Sequence, residues 1–542
     1  MLRLLAVWLL AAEPTVIEGD VPADGAFFTV PIEVPAGTAE LEVRHDDLSG
    51  PNILDWGLFA PDGGFLGWGG GNSEPAVINA AASSRSYRPT TLTPGTWKVL
   101  VGKALVTQRP ARFRLEVEAR GEATLAPQPL RRPYVPVAPL EIGARYYAGD
   151  LHVHSLESGD ARPSLGEITL FAQRRGLDFV ALSEHNTLSH LDFFGEAQAT
   201  TPVLLVPSVE FTTYAGHLNA FGVSRLPPFW LGLDGATFDG AIADFEAQGA
   251  VATINHPTLD LGTFCIGCAW QQPLVEGLRA VEVGVGGWDE TGSLFDESAL
   301  LFWEALAGRG VHLAAVGGSD DHRAGRGLNQ TQSAIGSPTT LIFAPELSVA
   351  ALVQGLKEGR TVVKLRGPDD PMIELRELDG IPRAGDTLLG SSARLEATVL
   401  GGEGHVLVWI ENGVAVREER VGTDPFISSF TLTAPSGKSA RVRAELRIAQ
   451  QPRTVTSLLW LAERADLPPV VAKRPMSCAV TDATPFLLLS LLFRRTRLGG
   501  NKGRASVQPE RSRGPRANRS EFHPSTPLGM NGPSTAPGMN GP

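Results

Sequence analysis

Between residue 15 and about 123, apolar and polar positions alternate in short runs: Phe27 to Val34, Ala39 to His45, Asn52 to Phe59, Thr96 to Lys103 and Ala111 to Val117. Turn clusters such as Pro61-Asp62-Gly63-Gly64 and Pro94-Gly95 separate them, and this pattern predicts an antiparallel β-sandwich over 15–123. Leu125 to Leu140 is proline-rich and predicts a semi-stiff extended linker over 124–144. From 145 to 366 the rhythm becomes short apolar strands alternating with helical patterns, which predicts an α/β unit with parallel strands. Its strand candidates are Tyr146 to Val153, Leu177 to Leu182, Val203 to Val206, Leu218 to Val223, Val251 to Ile254, Ala280 to Val285 and Leu313 to Val316. Seven strands suggest a closed barrel rather than an open sheet. Ser164-Leu165-Gly166-Glu167 reads as a capping box, with Ile168, Phe171 and Ala172 on the buried helix face and Gly176 as the stop. Over 371–465 the β pattern returns in Leu395 to Leu400, His405 to Glu411 and Ala440 to Ile448, predicting a second small sandwich.

Length and charge narrow this picture. The chain has 542 residues, 43% of them hydrophobic, a formal net charge of -12 and three cysteines, which suits a multidomain chain with a large core and excludes a disulfide-dense scaffold. Residues 466–542 read as a low-complexity basic tail with two copies of Gly-Met-Asn-Gly-Pro. From Arg494 onward there are nine Lys/Arg and two Asp/Glu, so the preceding chain carries about -19. Such an acidic body argues against a long nucleic acid as partner and leaves room for a small anion at a cationic site. No apolar run reaches the ~18 residues of a membrane span. Residues 1–12 (MLRLLAVWLLAA) read as a brief signal peptide, implying a secreted or periplasmic protein; the alternative is a first core element in a cytoplasmic one.

The chemistry lies in the middle region, which holds eight of the eleven histidines. In Asp150-Leu151-His152-Val153-His154 the two histidines stand two apart on a strand and so share a face. His185 follows the next strand, Glu210 and His217 flank the two after it, His256 follows another, and Asp320 and His322 close the series in Gly317-Gly318-Ser319-Asp320-Asp321-His322. Parallel strands in a barrel bring their carboxyl ends to one face, where such side chains meet. Imidazoles and carboxylates in this mixture suit Zn, Mn or Fe, and their number implies several ions.

This ordered series resembles the PHP (polymerase and histidinol phosphatase) superfamily and, in detail, its CehA/McbA (carbaryl hydrolase-like) branch, across residues 146–365 including Gly359-Arg360-Thr361-Val362. The resemblance implies a distorted (β/α)7 PHP barrel, here flanked by N-terminal and C-terminal β-sandwich domains, with up to three metal ions. It implies that His152, His154, Glu210 and Asp320 hold one ion, that Glu210 is shared with a second held by His217 and His256, and that Asp160, His185 and His322 hold a third. One departure is Glu184, where relatives usually place Asp. The expected activity is metal-dependent hydrolysis by a metal-bridging hydroxide, first of a phosphoester, with a carbamate, ester or amide bond as alternative; an exported binding protein with a non-catalytic barrel is the reading from another class. His322 or Asp320 would supply a proton to the leaving group, and Asp150 and Glu184 would orient imidazoles. Arg323 and Arg326 are candidates to meet an anionic small-molecule substrate.

Cys265-Ile266-Gly267-Cys268 suggests a zinc half-site or redox pair, but no second pair completes a four-ligand zinc site, so a small disulfide bracing a loop is the favoured reading, with free buried thiols as the alternative. Gly284-Val285-Gly286-Gly287 is a barrel loop rather than a phosphate loop. Trp56, Trp68 and Trp97 could form a carbohydrate platform, but packing is the commoner use.

Overall fold

The long middle sheet begins with Ile142–Val153 (β1), whose C-terminal half is buried on both faces, as strands covered on two sides must be. The computed structural model describes residues 13–470 except 49, 287, 290, 291, 294 and 379–382; the signal-peptide reading of residues 1–12 and the tail beyond 470 lie outside the described residues. After β1 come Leu165–Arg174 (α1), Phe179–His185 (β2), Phe194–Gln198 (α2), Leu204–Thr213 (β3), Gly216–Phe221 (β4), Phe238–Ala247 (α3) and Val251–Ile254 (β5). Leu278–Gly284 (β6), Asp296–Ala307 (α4), Ala314–Gly317 (β7), Thr339–Glu346 (β8), Val349–Lys357 (α5) and Thr361–Lys364 (β9) complete the region. Each expected strand is present. Helix α1 starts at Ser164 with both halves of the capping box formed, and ends just before Gly176, whose φ of 72° no helix continues through.

The sheet runs β7-β6-β5-β4-β3-β2-β1-β8-β9. Pairs β1/β2, β2/β3, β5/β6 and β6/β7 are parallel, whereas β3/β4, β4/β5, β1/β8 and β8/β9 are antiparallel. The mixed pairing departs from a regular (β/α)7 repeat. Strands β3 and β4 are joined by a tight turn too short for a helix, and among the described residues no α-helix separates β5 from β6. Immediately after β7 the chain returns to β1: Asp320 N–H donates to the His152 carbonyl at 2.8 Å, and His154 N–H to the Asp321 carbonyl at 3.1 Å. These bonds bring the carboxyl ends of β1 and β7 side by side.

Two four-stranded antiparallel sheets built from residues 15–120 enclose a core of Leu41, Ile78, Trp97, Val99 and Leu115. Trp56, Trp68 and Trp97 are all buried, so they pack rather than present a platform. At the other end, Met372–Glu377, Ser392–Leu400 and Phe426–Thr433 form a three-stranded sheet. The layer across from it is not a separate sheet: Gln451–Thr456 pairs with β9, and Ala440–Ile448 with Gln451–Thr456, so the middle sheet continues into this region.

Candidate metal centre

Six histidines and three carboxylates converge where β1, β2, β3, β5 and β7 end and β4 begins. His152 and His154 close β1 and its exit, His185 closes β2, Glu210 lies in β3, His217 opens β4, His256 follows β5, and Asp320 and His322 follow β7. Glu210 is the hub. Its Oε1 lies 3.4 Å from His152 Nε2, 3.2 Å from His217 Nδ1 and 3.4 Å from His256 Nε2, and its Oε2 lies 2.8 Å from His185 Nδ1 and 3.6 Å from His154 Nε2. Asp320 Oδ1 stands 3.3 Å from His152 Nε2 and 3.0 Å from His154 Nε2. Asp160 Oδ2 is 3.5 Å from His185 Nε2 and 3.4 Å from His322 Nε2, at the solvent-open edge.

Each of the six imidazoles has an acceptor on one ring nitrogen; for His185 that nitrogen, Nδ1, is also the one beside Glu210, and its Nε2 faces Asp160. His152 Nδ1 donates to Glu282 at 2.9 Å, His154 Nδ1 to Ser158 Oγ at 3.0 Å, and His185 Nδ1 to Thr212 Oγ1 at 2.9 Å. His217 Nε2 donates to the Ile266 carbonyl at 3.2 Å, His256 Nδ1 to the Cys268 carbonyl at 3.2 Å, and His322 Nδ1 to the Asp320 carbonyl at 2.9 Å. The donor assignment for His154 follows from its partner, because Ser158 spends its own hydrogen on Glu184 at 2.6 Å. An acceptor behind each ring fixes the tautomer and turns the other lone pair inward.

Four inward atoms, His152 Nε2, His154 Nε2, Glu210 Oε2 and Asp320 Oδ1, are buried and make no aligned hydrogen bond. Leaving buried polar atoms unsatisfied costs about 1–3 kcal/mol each, so such a group is stable only with a partner of another kind. Divalent cations fit this donor set. The donors cluster as His152/His154/Asp320, His152/Glu210/His256 and His154/His185/His322, each within 4.8 Å. This differs from the grouping the sequence implied: His152 belongs to two clusters, and His154 joins His185 and His322. His217 adjoins Glu210 on one side and clusters with Cys265 and Cys268 on the other.

The electrostatics agree with a cation site. Burial alone would push the Glu210 carboxyl up, yet His152, His185 and His217 hold it well below the usual range. Burial likewise opposes charge on His152 and His185, but facing carboxylates raise both well above an ordinary imidazole. These shifts belong to the metal-free site, where imidazoles and carboxylates stabilise one another's charge; a cation would compete with protons for the same nitrogens.

The remaining candidates fall into place differently. Glu184 is fully buried and pushed up to about 7 by burial; it accepts from Ser155 N–H and Ser158 Oγ, reaching His154 only through Ser158. Asp150 touches no imidazole. It accepts backbone N–H groups of His152, Ser319 and Gly336, tying β1 to the loops that carry Asp320 and the start of β8. Arg326 is paired with Glu167, and Arg323 donates to the Gly327 carbonyl, so both guanidinium groups are engaged on their own surface loop and its neighbour. His190 is buried beside Phe194 and pushed down to about 3, chiefly by burial.

Sequence reasoning missed Glu282 and Asn255. Glu282, in β6, takes His152 Nδ1 on one oxygen and His256 N–H on the other at 2.7 Å. Asn255 donates to Glu210 Oε1 and to Asn219 Oδ1, both at 3.0 Å. The available signal was a single carboxylate in the apolar run Ala280-Val281-Glu282-Val283. Gly318 is a further requirement: a Cβ there would lie 2.3 Å from His152 Cβ, so only glycine lets β7 approach β1 this closely.

No family model matches the chain, and no curated protein matches it. Among solved structures it is similar to a two-domain protein containing a predicted PHP-like metal-dependent phosphoesterase from Bacteroides vulgatus, at 20% identity over 58% of this chain and 94% of that one, with a TM-score of 0.33. It is also similar to an amidohydrolase from Chromobacterium violaceum with bound sulfate, at 18% identity over 34% of this chain and 91% of that one, with a TM-score of 0.23. A third similar structure is the CARDB domain of a Pyrococcus furiosus protein, at 15% identity over 18% of this chain and 96% of that one, with a TM-score of 0.14.

Proposed function

We propose that the chain is a metal-dependent hydrolase of the PHP type, in the CehA/McbA branch, acting first on a phosphoester of a small anionic molecule. The observation that carries this reading is the set of four buried, unbonded inward atoms surrounded by six imidazoles held from behind. Cations bound there lower the pKa of water and neutralise charge on the attacked and leaving oxygens, which serves phosphorus and carbonyl carbon alike. His152, His154 and Asp320 would hold one ion, and His152, Glu210 and His256, with His217 beside Glu210, a second. His154, His185 and His322 would hold a third, with Asp160 at its open edge. In the metal-free chain burial opposes a proton on His322, but Asp160 and Asp320 raise the ring to about 9; with Asp320 on the first ion and the third position unfilled, Asp160 would still favour the protonated ring. Its Nε2 then hands a proton to the leaving oxygen. Glu184 and Glu282 act as positioning residues through Ser158 and His152.

The test combines metal analysis of the purified protein with hydrolysis of p-nitrophenyl phosphate, bis-p-nitrophenyl phosphate and a naphthyl carbamate. Chelation is expected to abolish turnover and Zn or Mn to restore it, and His152→Ala or Asp320→Ala to be inactive. Phosphoester turnover without carbamate turnover supports the first bond class, and the reverse selects the carbonyl alternative. Protein that takes up no metal, with ligand variants behaving as wild type, would leave the exported-binding-protein reading in its place.

A further inference from the structure

The loop after β5 makes a tight excursion at Cys265-Ile266-Gly267-Cys268, closed by a disulfide between Cys265 and Cys268. Two carbonyls of this four-residue ring, those of Ile266 and Cys268, are the acceptors behind His217 and His256. These two histidines come from different elements, the start of β4 and the exit of β5, and both face Glu210. The ring is also pressed onto the turn before β4. Gly267 has a φ of 78°, and a Cβ on it would lie 2.4 Å from the Thr213 carbonyl oxygen. Gln271 N–H then donates to the Ala215 carbonyl at 2.8 Å.

We propose that the Cys265–Cys268 ring is a positioning strap for one part of the metal centre: it presents two carbonyls at fixed spacing and thereby sets which ring nitrogens of His217 and His256 meet Glu210. The inference rests on the metal-centre reading and adds a local hierarchy to it. Opening the ring frees the backbone at Ile266 and Gly267, so both imidazoles lose their fixed acceptors together. His154, His185 and His322 are held instead by Ser158, Thr212 and the Asp320 carbonyl, none of which touches the strap.

The experiment is titration of the metal-stripped full chain with Zn2+ by calorimetry, with a count of bound ions per chain, in wild type and in the Cys265→Ser/Cys268→Ser double variant. Losing an acceptor behind a metal-binding histidine typically weakens a site about 10–100-fold, so one ion is expected to bind that much more weakly while the others keep wild-type affinity. Gly267→Ala, which keeps both cysteines but forces the ring off the Thr213 carbonyl, is expected to weaken the same ion, and it carries the test alone should the double variant fail to fold. Unchanged affinities in both variants, or equal weakening of every ion as general destabilisation would give, overturns the strap. Wild-type protein that binds no Zn2+ overturns the metal-centre reading itself.

Discussion

Glu282 holds two elements of the centre with one carboxylate, taking the His152 ring on one oxygen and the His256 backbone N–H on the other. An amide cannot do this, because its carbonyl oxygen satisfies one donor and its NH2 meets the second donor head-on. Glu282→Gln is therefore expected to fold yet bind metal about 10–100-fold more weakly, read by the same Zn2+ titration. A variant indistinguishable from wild type would show that the His152 ring is held by packing alone. The contrast between this residue and the nine expected ones explains what could be read from the sequence. His152, His154, His185, His256, Asp320 and His322 are rare residue types at or just after strand ends, and Glu210 and His217 flank a tight turn, positions that the sheet brings to one face. Glu282 sits inside a strand among valines and alanines, where a carboxylate earns attention only once its neighbours across the sheet are known. Asp150 erred in the opposite direction: adjacency to the histidines suggested an imidazole partner, but its burial and three backbone bonds make it a staple between β1 and the β7 and β8 approaches.

At the scale of elements, the strands were legible from their apolar runs and α1 from its cap, because both signals are local. Strand direction was not. The turn at Tyr214-Ala215 makes β3/β4 antiparallel, and nothing in the alternation of residues 203–223 distinguishes that hairpin from two parallel strands joined by a longer crossover. Helix α4 offers a test of a different kind. Its first residue, Asp296, is buried, accepts Val285 N–H at 2.9 Å, and is pushed up to about 7 by burial. A carboxyl raised in the folded state binds its proton more tightly there than in the unfolded chain. Its contribution to stability is complete below about pH 4, falls as pH rises, and is lost by about pH 7, a span worth ~4 kcal/mol at most. Asp296→Asn keeps an acceptor for Val285 and cannot ionise. Thermal melts of the two proteins are expected to agree most closely near pH 4, with the variant gaining on wild type up to pH 7 and the gap constant above it; a gap that shrinks with rising pH contradicts the buried acid.

Over the whole molecule, the N-terminal sheets are not a bead on a linker. Phe59 meets Trp230 at 4.8 Å between ring centroids, Trp68 meets Phe229 at 4.9 Å, and Phe27 stacks on Tyr214 at 5.3 Å, so the two regions share an aromatic core. The sequence gives no hint of this, since each ring belongs to a run that satisfies its own local pattern. The same contact reaches the metal centre through Arg85. Its guanidinium pairs with Glu74 at 2.7 Å and donates to the carbonyls of Gly159 at 2.7 Å and Ala161 at 3.0 Å, on either side of Asp160. The loop so held also carries Ser158, the acceptor behind His154. Arg85→Ala removes these charge-assisted bonds and leaves the loop carbonyls to water, at a cost of about 2–4 kcal/mol. Chemical denaturation is expected to show that loss. Zn2+ titration is expected to show weakened binding at His154/His185/His322, beside Asp160, with His152/Glu210/His256 unaffected. Arg85→Lys, which keeps the charge but not the planar fork, should recover only part of it. Loss of stability with all ions bound as in wild type would mean that the sandwich clamps the fold without setting the centre; weakening confined to the Asp160 side would make residues 15–120 part of the working site.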